Sequence, residues 1–395
     1  MGQSCDAVVI GGGVMGLCTA IELRRLGTGR VMLLERRFLG AGESGKSGAI
    51  LRQHYSHPTT IRMARASLHE FAGFAERTGH DIGFTRLGML FVVPAADRES
   101  LEANVRLQQA EGVQTAVLDT AALRELEPRA RFEDVIGAWE PEAAYVDPVR
   151  TVAAFGAEAV RLGVDVRLGT EVRGIVTAEG SGAQRVLGVE TSAGRIETRQ
   201  VVAATGPWSQ RLLVPLGIRM PLEVVRPQQA FLRPPGDFSP AHPIVADLPH
   251  EVYYKPEGGG ATRVGSISYD ADERVPDPDR YDESVTAEFL RDARDRVARR
   301  LPAYEQAILW GGGSALYTVT PDAHPVIGPV AGLEGFVLVT GFSGHGFKLS
   351  PIVGRGVAEL VVHGRTSSFD LAFFDPQRFG RATGHSTSYR YKILG

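Results

Sequence analysis

The stretch AVVIGGGVMG at residues 7–16 decides the fold of this chain. Its four leading apolar residues predict a strand that is buried on both faces, as strands of parallel sheets are. Three glycines and then Gly16 follow at once, and the apolar spacing beyond them predicts a helix. A second apolar run at residues 31–34 ends at Glu35, whose carboxylate can accept hydrogen bonds from ribose hydroxyls. This order of strand, glycine turn, helix, strand and acid is typical of a dinucleotide-binding βαβ unit.

Each glycine of this motif has a steric reason to be glycine. Gly11 permits the tight turn, Gly13 lets the backbone approach a pyrophosphate, and Gly16 lets the helix pack closely on the strand. The helix begins at Val14 and Met15, so its amino end offers free N–H groups and a partial positive charge to phosphates. The unit therefore predicts a bound dinucleotide and leaves open whether it is FAD or NAD.

Length and composition place the chain among ordinary globular proteins. It has 395 residues, 43% hydrophobic and 23% charged, so we expect about two domains. A net charge of −3 gives no reason to expect nucleic acid or an anionic membrane as a partner. The two cysteines, Cys5 and Cys18, are too few for a disulfide framework and form no metal-binding pattern, so no metal is expected. The sequence shows no signal peptide and no apolar run of about 18 residues, which predicts a cytoplasmic protein without a membrane span.

Three further stretches of glycine and small residues stand where predicted elements would bring them to a ligand. They are the loop at residues 40–49, the strand tip at 203–206, and the turn at 341–348 between a buried strand and a helix. A flexible linker and a plain strand end are the simpler alternatives for the first two. Several such bends suit a ligand that is longer than NAD. At the turn at 341–348, the amino end of the following helix would stabilise negative charge on a reduced flavin ring. The predicted cofactor is therefore FAD. The residues expected to contact it, besides Gly11, Gly13, Val14, Met15, Gly16 and Glu35, are Arg36, Ser44, Lys46, Ser47, Val172, Ala204, Thr205, Gly206, Trp208, Gly344, His345, Gly346, Phe347 and Lys348.

The remaining elements divide the chain between two domains. Apolar strands at residues 200–204 and 335–340 join the parallel sheet of the first domain, whereas a hairpin at residues 252–269 indicates a second sheet. Helices are predicted at residues 59–78, 97–111, 149–162, 284–301 and 350–363. The fold class is predicted as α/β, or α+β overall, with a Rossmann-like FAD-binding domain on a parallel sheet and a substrate domain on a mostly antiparallel sheet. The predicted boundaries are 1–79, 143–221 and 313–375 for the FAD-binding domain, 80–142 and 222–312 for the substrate or cap domain, and 376–395 for a C-terminal tail.

Six stretches of the sequence, spread over about residues 5–375, carry a resemblance to a known family. They are VVIGGGVMG at 8–16, LLER at 33–36, SGKSGAILR at 44–52, AATGPW at 203–208, YTVTPDAHPVIG at 317–328 and GFSGHGFKLSP at 341–351. Together they resemble the D-amino-acid oxidase, glycine oxidase and monomeric sarcosine oxidase family of FAD amine oxidoreductases, and the last stretch is the most specific. The resemblance implies an FAD domain whose flavin is roofed by a sheet domain.

The resemblance also implies roles for individual side chains. Lys348 matches a lysine under the flavin that promotes reaction with oxygen, and Arg52 matches an arginine that pairs with the substrate carboxylate. Tyr254 matches a tyrosine above the substrate. Because neighbouring residues of a strand point to opposite faces, only one of Tyr253 and Tyr254 can face a site. His345 adjoins the flavin turn, where a structural and a chemical role are both open.

Three departures from the family pattern qualify this resemblance. Ala315 stands where sarcosine oxidases tether the flavin through a cysteine, and residues 36–53 contain no histidine for the other kind of tether. FAD is therefore predicted to be held non-covalently. Residues 263–269 lack a counterpart of the active-site histidine of sarcosine oxidase, so the substrate is not expected to be sarcosine itself.

The function predicted from these observations is FAD-dependent oxidation of the C–N bond of an amino acid or secondary amine. Hydride passes from the carbon next to nitrogen to the flavin and leaves an imine. N-alkyl, cyclic imino and D-amino acids are the expected substrates, with oxygen as acceptor and peroxide as product. The alternatives are a dehydrogenase that passes electrons to a quinone or a partner subunit, oxidation of a 2-hydroxy acid, and a non-catalytic flavin-binding subunit. A monomer and a homo-oligomer are both compatible with the sequence.

Overall fold

A six-stranded sheet forms the centre of the first domain in the computed structural model, which describes residues 3–180, 182–236 and 238–380. In spatial order its strands are Asp165–Arg167, Val31–Leu34, Ala7–Ile10, Val201–Ala203, Phe336–Thr340 and Val326–Pro329. Neighbouring strands run parallel except for the last pair. The central strands are apolar and buried, because helices cover one face of the sheet and a second sheet covers the other.

The helices of the described residues are α1 (Val14–Arg25), α2 (Pro58–Ala72), α3 (Phe74–Thr78), α4 (Arg98–Ala110), α5 (Thr120–Leu126), α6 (Pro148–Arg161), α7 (Ser209–Leu213), α8 (Ala287–Arg300) and α9 (Gly346–His363). The helix predicted at residues 59–78 is broken at Gly73. α1, α2, α6 and α9 pack together on the six-stranded sheet. α9 lies so close to α1 that a Cβ at Gly354 would be 2.6 Å from the backbone of Cys18. None of these helices combines the length and the apolarity that a bilayer crossing requires.

α9 begins earlier than the sequence pattern predicted, and it contains a proline. Its first residue is Gly346, four positions before the predicted start, and Pro351 lies inside it. Proline has no N–H to donate to the carbonyl four residues back, which belongs to Phe347. The Ser350 hydroxyl donates to that carbonyl instead, at 2.9 Å. The helix therefore starts directly at the glycine turn and carries Lys348 in its first turn.

An eight-stranded sheet forms the cap and draws its strands from two distant parts of the chain. In spatial order they are Ile308–Ser314, Gln228–Arg233, Ala261–Ser266, Val252–Glu257, Ile244–Asp247, Met89–Pro94, Val135–Glu140 and Ala116–Leu118. Every neighbouring pair is antiparallel except Ile244–Asp247 with Met89–Pro94. One face packs on α5 and α8, and the other faces α4 and the first domain. The predicted mostly antiparallel sheet is thus confirmed, while the predicted domain boundaries stay a prediction.

Three smaller sheets complete the fold. A five-stranded sheet contains Gln3–Ser4, Gly194–Glu197, Gln184–Thr191 and Val172–Glu179 in that order, with Leu333–Glu334 paired to Gln184–Thr191. Two three-stranded sheets contain Glu273–Arg274, Glu223–Arg226 and Tyr317–Val319, and Ile50–Leu51, Ala144–Tyr145 and Thr85–Arg86. The last sheet brings the strand before Arg52 against the cap, because it pairs residues of the first domain with residues next to cap strands.

The residues directly after Asp375 differ from the predicted loose tail. Pro376–Gly380 forms a short 3₁₀ helix, and the buried Arg378 grips Asp322 with two hydrogen bonds of 2.8 and 3.0 Å. Burying this guanidinium is tolerated because a carboxylate and backbone carbonyls satisfy it. Residues 376–380 are therefore part of the fold, and the rest of the predicted tail, 381–395, lies outside the described residues.

Candidate functional site

The glycine turn after the first buried strand is packed too tightly for any other residue. Gly11 has φ +111°, and a Cβ there would lie 2.4 Å from the carbonyl oxygen of Ala204. A Cβ at Gly16 would lie 1.9 Å from the carbonyl oxygen of Gly11, and one at Gly13 would lie 2.9 Å from Ser44 Oγ. Contacts below 3.0 Å leave no room for a methyl group. The steric roles predicted for Gly11 and Gly16 agree with this geometry, whereas the approach of Gly13 to a pyrophosphate stays a prediction. Gly16 does not line either cavity and supports the turn from behind.

The loop at residues 40–49 is folded against the amino end of α1 and is not a free linker. The Val14 N–H donates to Ser44 Oγ at 3.1 Å. Close by, the Glu35 carboxylate accepts hydrogen bonds from the N–H groups of Gly12 and Arg37, both at 2.8 Å. Glu35 is thus held at the cleft by backbone donors, and its contact with a ribose stays a prediction.

Two adjoining cavities lead from the glycine turn to the amino end of α9. Their empty volumes, with the open mouths included, are about 1110 and 920 Å³, a size common for cofactor sites. They form one continuous cleft, because both are lined by Met15, Glu43, Ser44, Gly206, Pro207 and Phe342. Of the other predicted contacts, the first cavity is lined by Gly11, Gly13, Glu35, Arg36, Val172, Ala204, Thr205 and Trp208, and the second by Val14, Lys46, Ser47, Gly344, Gly346, Phe347 and Lys348. The structure therefore brings bends that are far apart in sequence to one elongated site.

The turn before α9 presents a buried lysine and a buried histidine. Gly344 has φ +87°, and its place against the Tyr317 ring leaves only 3.0 Å for a Cβ. Lys348 lines the second cavity, and burial together with the nearby Arg52 holds its pKa well below the ordinary value. His345 lies behind the wall, where its Nδ1 is 3.1 Å from the hydroxyl of Tyr55. Burial, Lys348 and Arg52 hold the pKa of His345 well below its ordinary value, so this imidazole is neutral at neutral pH.

Arg52 is buried close to Lys348 and has one unsatisfied donor. Its side chain is only 2% exposed, and its guanidinium carbon lies 4.3 Å from the centre of the Tyr55 ring. Nη1 donates to the carbonyl of His54, whereas Nη2 has no hydrogen-bond partner. Arg52 does not line either cavity directly, so the structure places it in the layer that adjoins Lys348.

The structure corrects the predicted choice between two neighbouring tyrosines. Tyr254 lies on the face of the cap sheet that packs on α8, where its ring meets His242 edge to face at 5.2 Å. Tyr253 lies on the opposite face, lines the second cavity and shares a hydrogen bond with Tyr317. The alternation along the strand predicted that one of the pair faces a site, but only the position of α8 decides which one.

The predicted contacts Arg36 and Lys46 line the cleft, but their charges are paired with the cap. We call residues 277–283 the acidic strap. Arg36 forms an ion pair with Asp279 at 2.6 Å, and Lys46 forms one with Glu283 at 3.0 Å. The Trp208 indole N–H also donates to Asp279, at 2.8 Å. The strap therefore crosses from the cap to the wall of the first cavity.

Sequence reasoning missed several residues that line the cleft. Glu43 belongs to both cavities, its carboxylate accepts the Leu316 N–H, and burial raises its pKa to about 7. The sequence feature that could have identified Glu43 is its position in the glycine-rich loop that follows Glu35, the acid predicted to contact the cofactor. Further examples of missed residues are Gln229, Tyr253 and Tyr317 in the second cavity, Arg211 in the first, and Phe342 in both.

Comparison with known proteins gives concordant results. A family profile described as FAD dependent oxidoreductase matches residues 6–360. The chain is 27% identical to 4-methylaminobutanoate oxidase (formaldehyde-forming) of Paenarthrobacter nicotinovorans, over 97% of this chain and 46% of that protein, so it spans about half the length of that relative. It is 29% identical to peroxisomal sarcosine oxidase of Homo sapiens, over 95% of this chain and 96% of that one. Among solved structures, L-proline dehydrogenase from P. horikoshii superposes with a TM-score of 0.88 at 29% identity, covering 98% of this chain and all of that one.

Proposed function

This chain belongs to the family of FAD-dependent oxidoreductases, and from that premise we propose that it oxidises the C–N bond of an amino acid that it holds by the carboxylate. The observation that carries the proposal is a pair of buried basic side chains, Lys348 in the first turn of α9 and Arg52 close to it. Neither forms an ion pair within the described residues. The names of the relatives, which oxidise 4-methylaminobutanoate, sarcosine and proline, support the same substrate class.

The cleft fits FAD by its shape and by its donors. Gly11 and Gly13 have no side chain at positions where a Cβ would collide with neighbouring atoms, so their backbone is open to the cleft. The amino ends of α1 and α9 also face the cleft. We propose that the residues of the first cavity hold the nucleotide and those of the second hold the flavin ring. Ala315 lines the second cavity, so this position offers no thiol, and we propose that FAD is bound without a covalent link. When bound, FAD supplies the acceptor for two electrons.

The two cations suit a carboxylate for electrostatic reasons. Burial, and then repulsion by the charge of Arg52, lower the pKa of Lys348, and the nearby Glu140 attracts Arg52 without forming an ion pair with it. A carboxylate between them would satisfy the free Nη2 of Arg52 and restore the charged form of Lys348. We therefore assign Lys348, which lines the second cavity, and Arg52, in the layer that adjoins it, to substrate binding, and Tyr253 and Tyr317 to the roof of that cavity.

The reacting nitrogen has to be neutral before its neighbouring carbon gives up hydride. Glu43 is the only carboxyl group among the described residues that line the second cavity, and the Leu316 N–H already engages it. Its other oxygen, Oε1, has no hydrogen-bond partner, but burial raises the pKa of Glu43 to about 7, so this carboxyl is only partly ionised at neutral pH and is a weak partner ion for an ammonium. We expect activity to rise with pH through the ionisation of the substrate ammonium.

A substrate screen with matched pairs tests the proposal. Purified holoenzyme is mixed without oxygen with N-methyl, cyclic and D-amino acids and with the same amines lacking the carboxylate, such as proline beside pyrrolidine. We expect the flavin to be bleached by acids and not by their decarboxylated partners. Equal bleaching by both members of a pair would refute carboxylate binding, and no bleaching by any amine would favour a 2-hydroxy acid or a non-catalytic chain. Acid precipitation should release the yellow colour into the supernatant, because FAD is not covalently bound.

The proposed acceptor is oxygen, and it rests on the resemblance at Lys348. Stopped-flow mixing of the reduced enzyme with aerated buffer measures this step separately from reduction. Slow reoxidation by oxygen together with fast reoxidation by a quinone would replace oxygen with a quinone or a partner subunit. In the Lys348→Met variant, weaker substrate binding supports the carboxylate role, whereas slower reoxidation alone supports the oxygen role.

A further inference from the structure

Arg52 opens a buried polar segment, residues 52–55, with the sequence RQHY. Gln53 and His54 are 0% and 1% exposed, and the segment belongs to no helix or strand. Buried N–H groups outside regular elements need partners from elsewhere, because leaving one unsatisfied costs about 1–3 kcal/mol. The partners of this segment therefore decide the conformation in which Arg52 is held.

Those partners come from the cap, and Glu140 contributes most of them. Its Oε1 accepts hydrogen bonds from the backbone N–H of Gln53 at 2.8 Å and from Gln53 Nε2 at 3.2 Å. Its Oε2 accepts the backbone N–H of His54 at 3.1 Å. Phe91, on a neighbouring cap strand, stacks on the His54 ring with 3.9 Å between ring centres. The segment is thus clamped by the cap sheet, with Glu140 at the end of the strand Val135–Glu140.

The clamped residues in turn hold the guanidinium. The carbonyl of His54 accepts Nη1 of Arg52, and the ring of Tyr55 lies beneath the guanidinium at 4.3 Å. Gln108 of the cap fixes the next carbonyl, that of Tyr55, at 3.1 Å. No ion pair or hydrogen bond joins Glu140 to Arg52 in the described residues, so besides the attraction of their charges the two side chains are linked through the backbone between them.

We propose that Glu140 is a positioning residue for Arg52: it fixes the backbone of residues 53–54 so that the guanidinium points at the substrate carboxylate. This inference rests on the proposed function, because it assumes that Arg52 binds that carboxylate. It adds a link between the two domains, since the residue that orients the substrate-binding arginine belongs to the cap.

Electrostatics alone would give Glu140 the opposite effect. A negative charge near Arg52 weakens the attraction for an anionic substrate, and burial makes the charge costly, raising the pKa of Glu140 to about 7. The fold bears this cost because three buried N–H donors require an acceptor. Removing the charge and removing the hydrogen bonds therefore change substrate affinity in opposite directions, which makes the inference testable.

The test measures carboxylate binding to holoenzyme by the change in flavin absorbance, with benzoate as probe and benzamide as its neutral partner. We expect Glu140→Gln to weaken benzoate on the order of tenfold, because an amide cannot accept all three N–H groups. Glu140→Asp keeps the negative charge, but its side chain is one methylene shorter and cannot reach all three N–H groups, so it should also weaken benzoate binding. This variant replaces Glu140→Gln in the test if the glutamine variant does not fold. Glu133→Gln, an exposed carboxyl just before the same strand, is the control and should leave affinity within about twofold.

An Arg52→Lys background separates this inference from the proposed function. There we expect Glu140→Gln to add less than about a twofold loss, because Glu140 acts only through the arginine. Unchanged or tighter benzoate binding in both Glu140 variants, with weakening by Arg52→Lys, would overturn the inference and leave the carboxylate site standing. Benzoate binding that is insensitive to Arg52→Lys, or absent in the wild type, would overturn both.

Discussion

The acidic strap ties the cap to the mouth of the first cavity, and cutting it at Asp279 should speed the loss of FAD. Asp279 accepts hydrogen bonds from Arg36 at 2.6 and 3.2 Å and from Trp208 at 2.8 Å, and it also pairs with Arg211. These three partners all line the first cavity. The strap thus fixes three side chains of the wall of the cavity that we propose for the nucleotide, and we expect the loss of these contacts to loosen that wall and to speed release.

The magnitude follows from how exposed these contacts are. The Asp279 side chain is 38% exposed, so each of its two arginine pairs contributes only about 0.2–1 kcal/mol. The indole hydrogen bond adds about 1 kcal/mol. With a total of about 1.4–3 kcal/mol, Asp279→Ala should raise the rate of FAD release roughly 10- to 150-fold.

The fluorescence of FAD that leaves diluted holoenzyme measures this rate. Glu305→Ala is the control, because it removes an exposed carboxyl outside the strap. In about 1 M KCl, where the screening length falls to about 3 Å, the wild type should approach the rate of the variant. Release from Asp279→Ala at the wild-type rate would show that the contacts of the strap do not restrain the release of the nucleotide.

Three further changes have clear expected outcomes. Gly16→Ala should yield colourless apoprotein, because the methyl group would lie 1.9 Å from the Gly11 carbonyl oxygen; a yellow variant with full flavin content would contradict this packing. Folding raises the pKa of Glu43 from 4.5 to about 7, so the folded state holds its proton more tightly and wild-type stability falls as pH rises through this window. Glu43→Gln should therefore gain up to about 3 kcal/mol over the wild type near pH 8 and nothing near pH 4.5, measured by thermal unfolding; parallel pH curves would argue against the shifted carboxyl. Arg300→Met should cost about 3–5 kcal/mol in denaturant unfolding, because it removes the guanidinium that donates to the wholly buried Asp247 at 2.8 and 3.1 Å and leaves this carboxylate only the His250 imidazole as an ionic partner; a loss below about 1 kcal/mol would refute the pairing.

The parts of the fold that the sequence predicted are those whose signals are local. The βαβ unit at residues 7–34 rests on apolar runs and on glycines a few positions apart, so tertiary structure could not change it. The strand Val201–Ala203 was predicted for the same reason, since four-residue apolar runs bury on both faces wherever they are placed. The start of α9 was predicted four residues late, because a proline is read as a sign that no helix continues through it. In the structure the Ser350 hydroxyl replaces the N–H donor that Pro351 lacks, so the helix does continue.

The candidate site was predicted in outline and corrected in its partners. Glycine-rich bends indicated the candidate cofactor site, because the absence of a side chain, which lets a ligand approach the backbone, can be read directly from the residue type. Arg36 and Lys46 were predicted as cofactor contacts and do line the cleft, but their charges face the acidic strap, which is more than 230 residues away in sequence. Ion pairs over such separations leave no periodic or spacing signal in the chain.

The sequence by itself determined the nucleotide-binding turn and the alternation of Tyr253 and Tyr254, whereas Arg52 was singled out by the family resemblance and its burial was not predicted. Only the tertiary structure decided that Tyr253 faces the cavity, because α8 covers the other face of that strand. Only the tertiary structure brought Glu140 of the cap to the backbone after Arg52. The physical reason is that strand and helix periods fix which residues share a face, whereas the packing of distant elements fixes what that face meets.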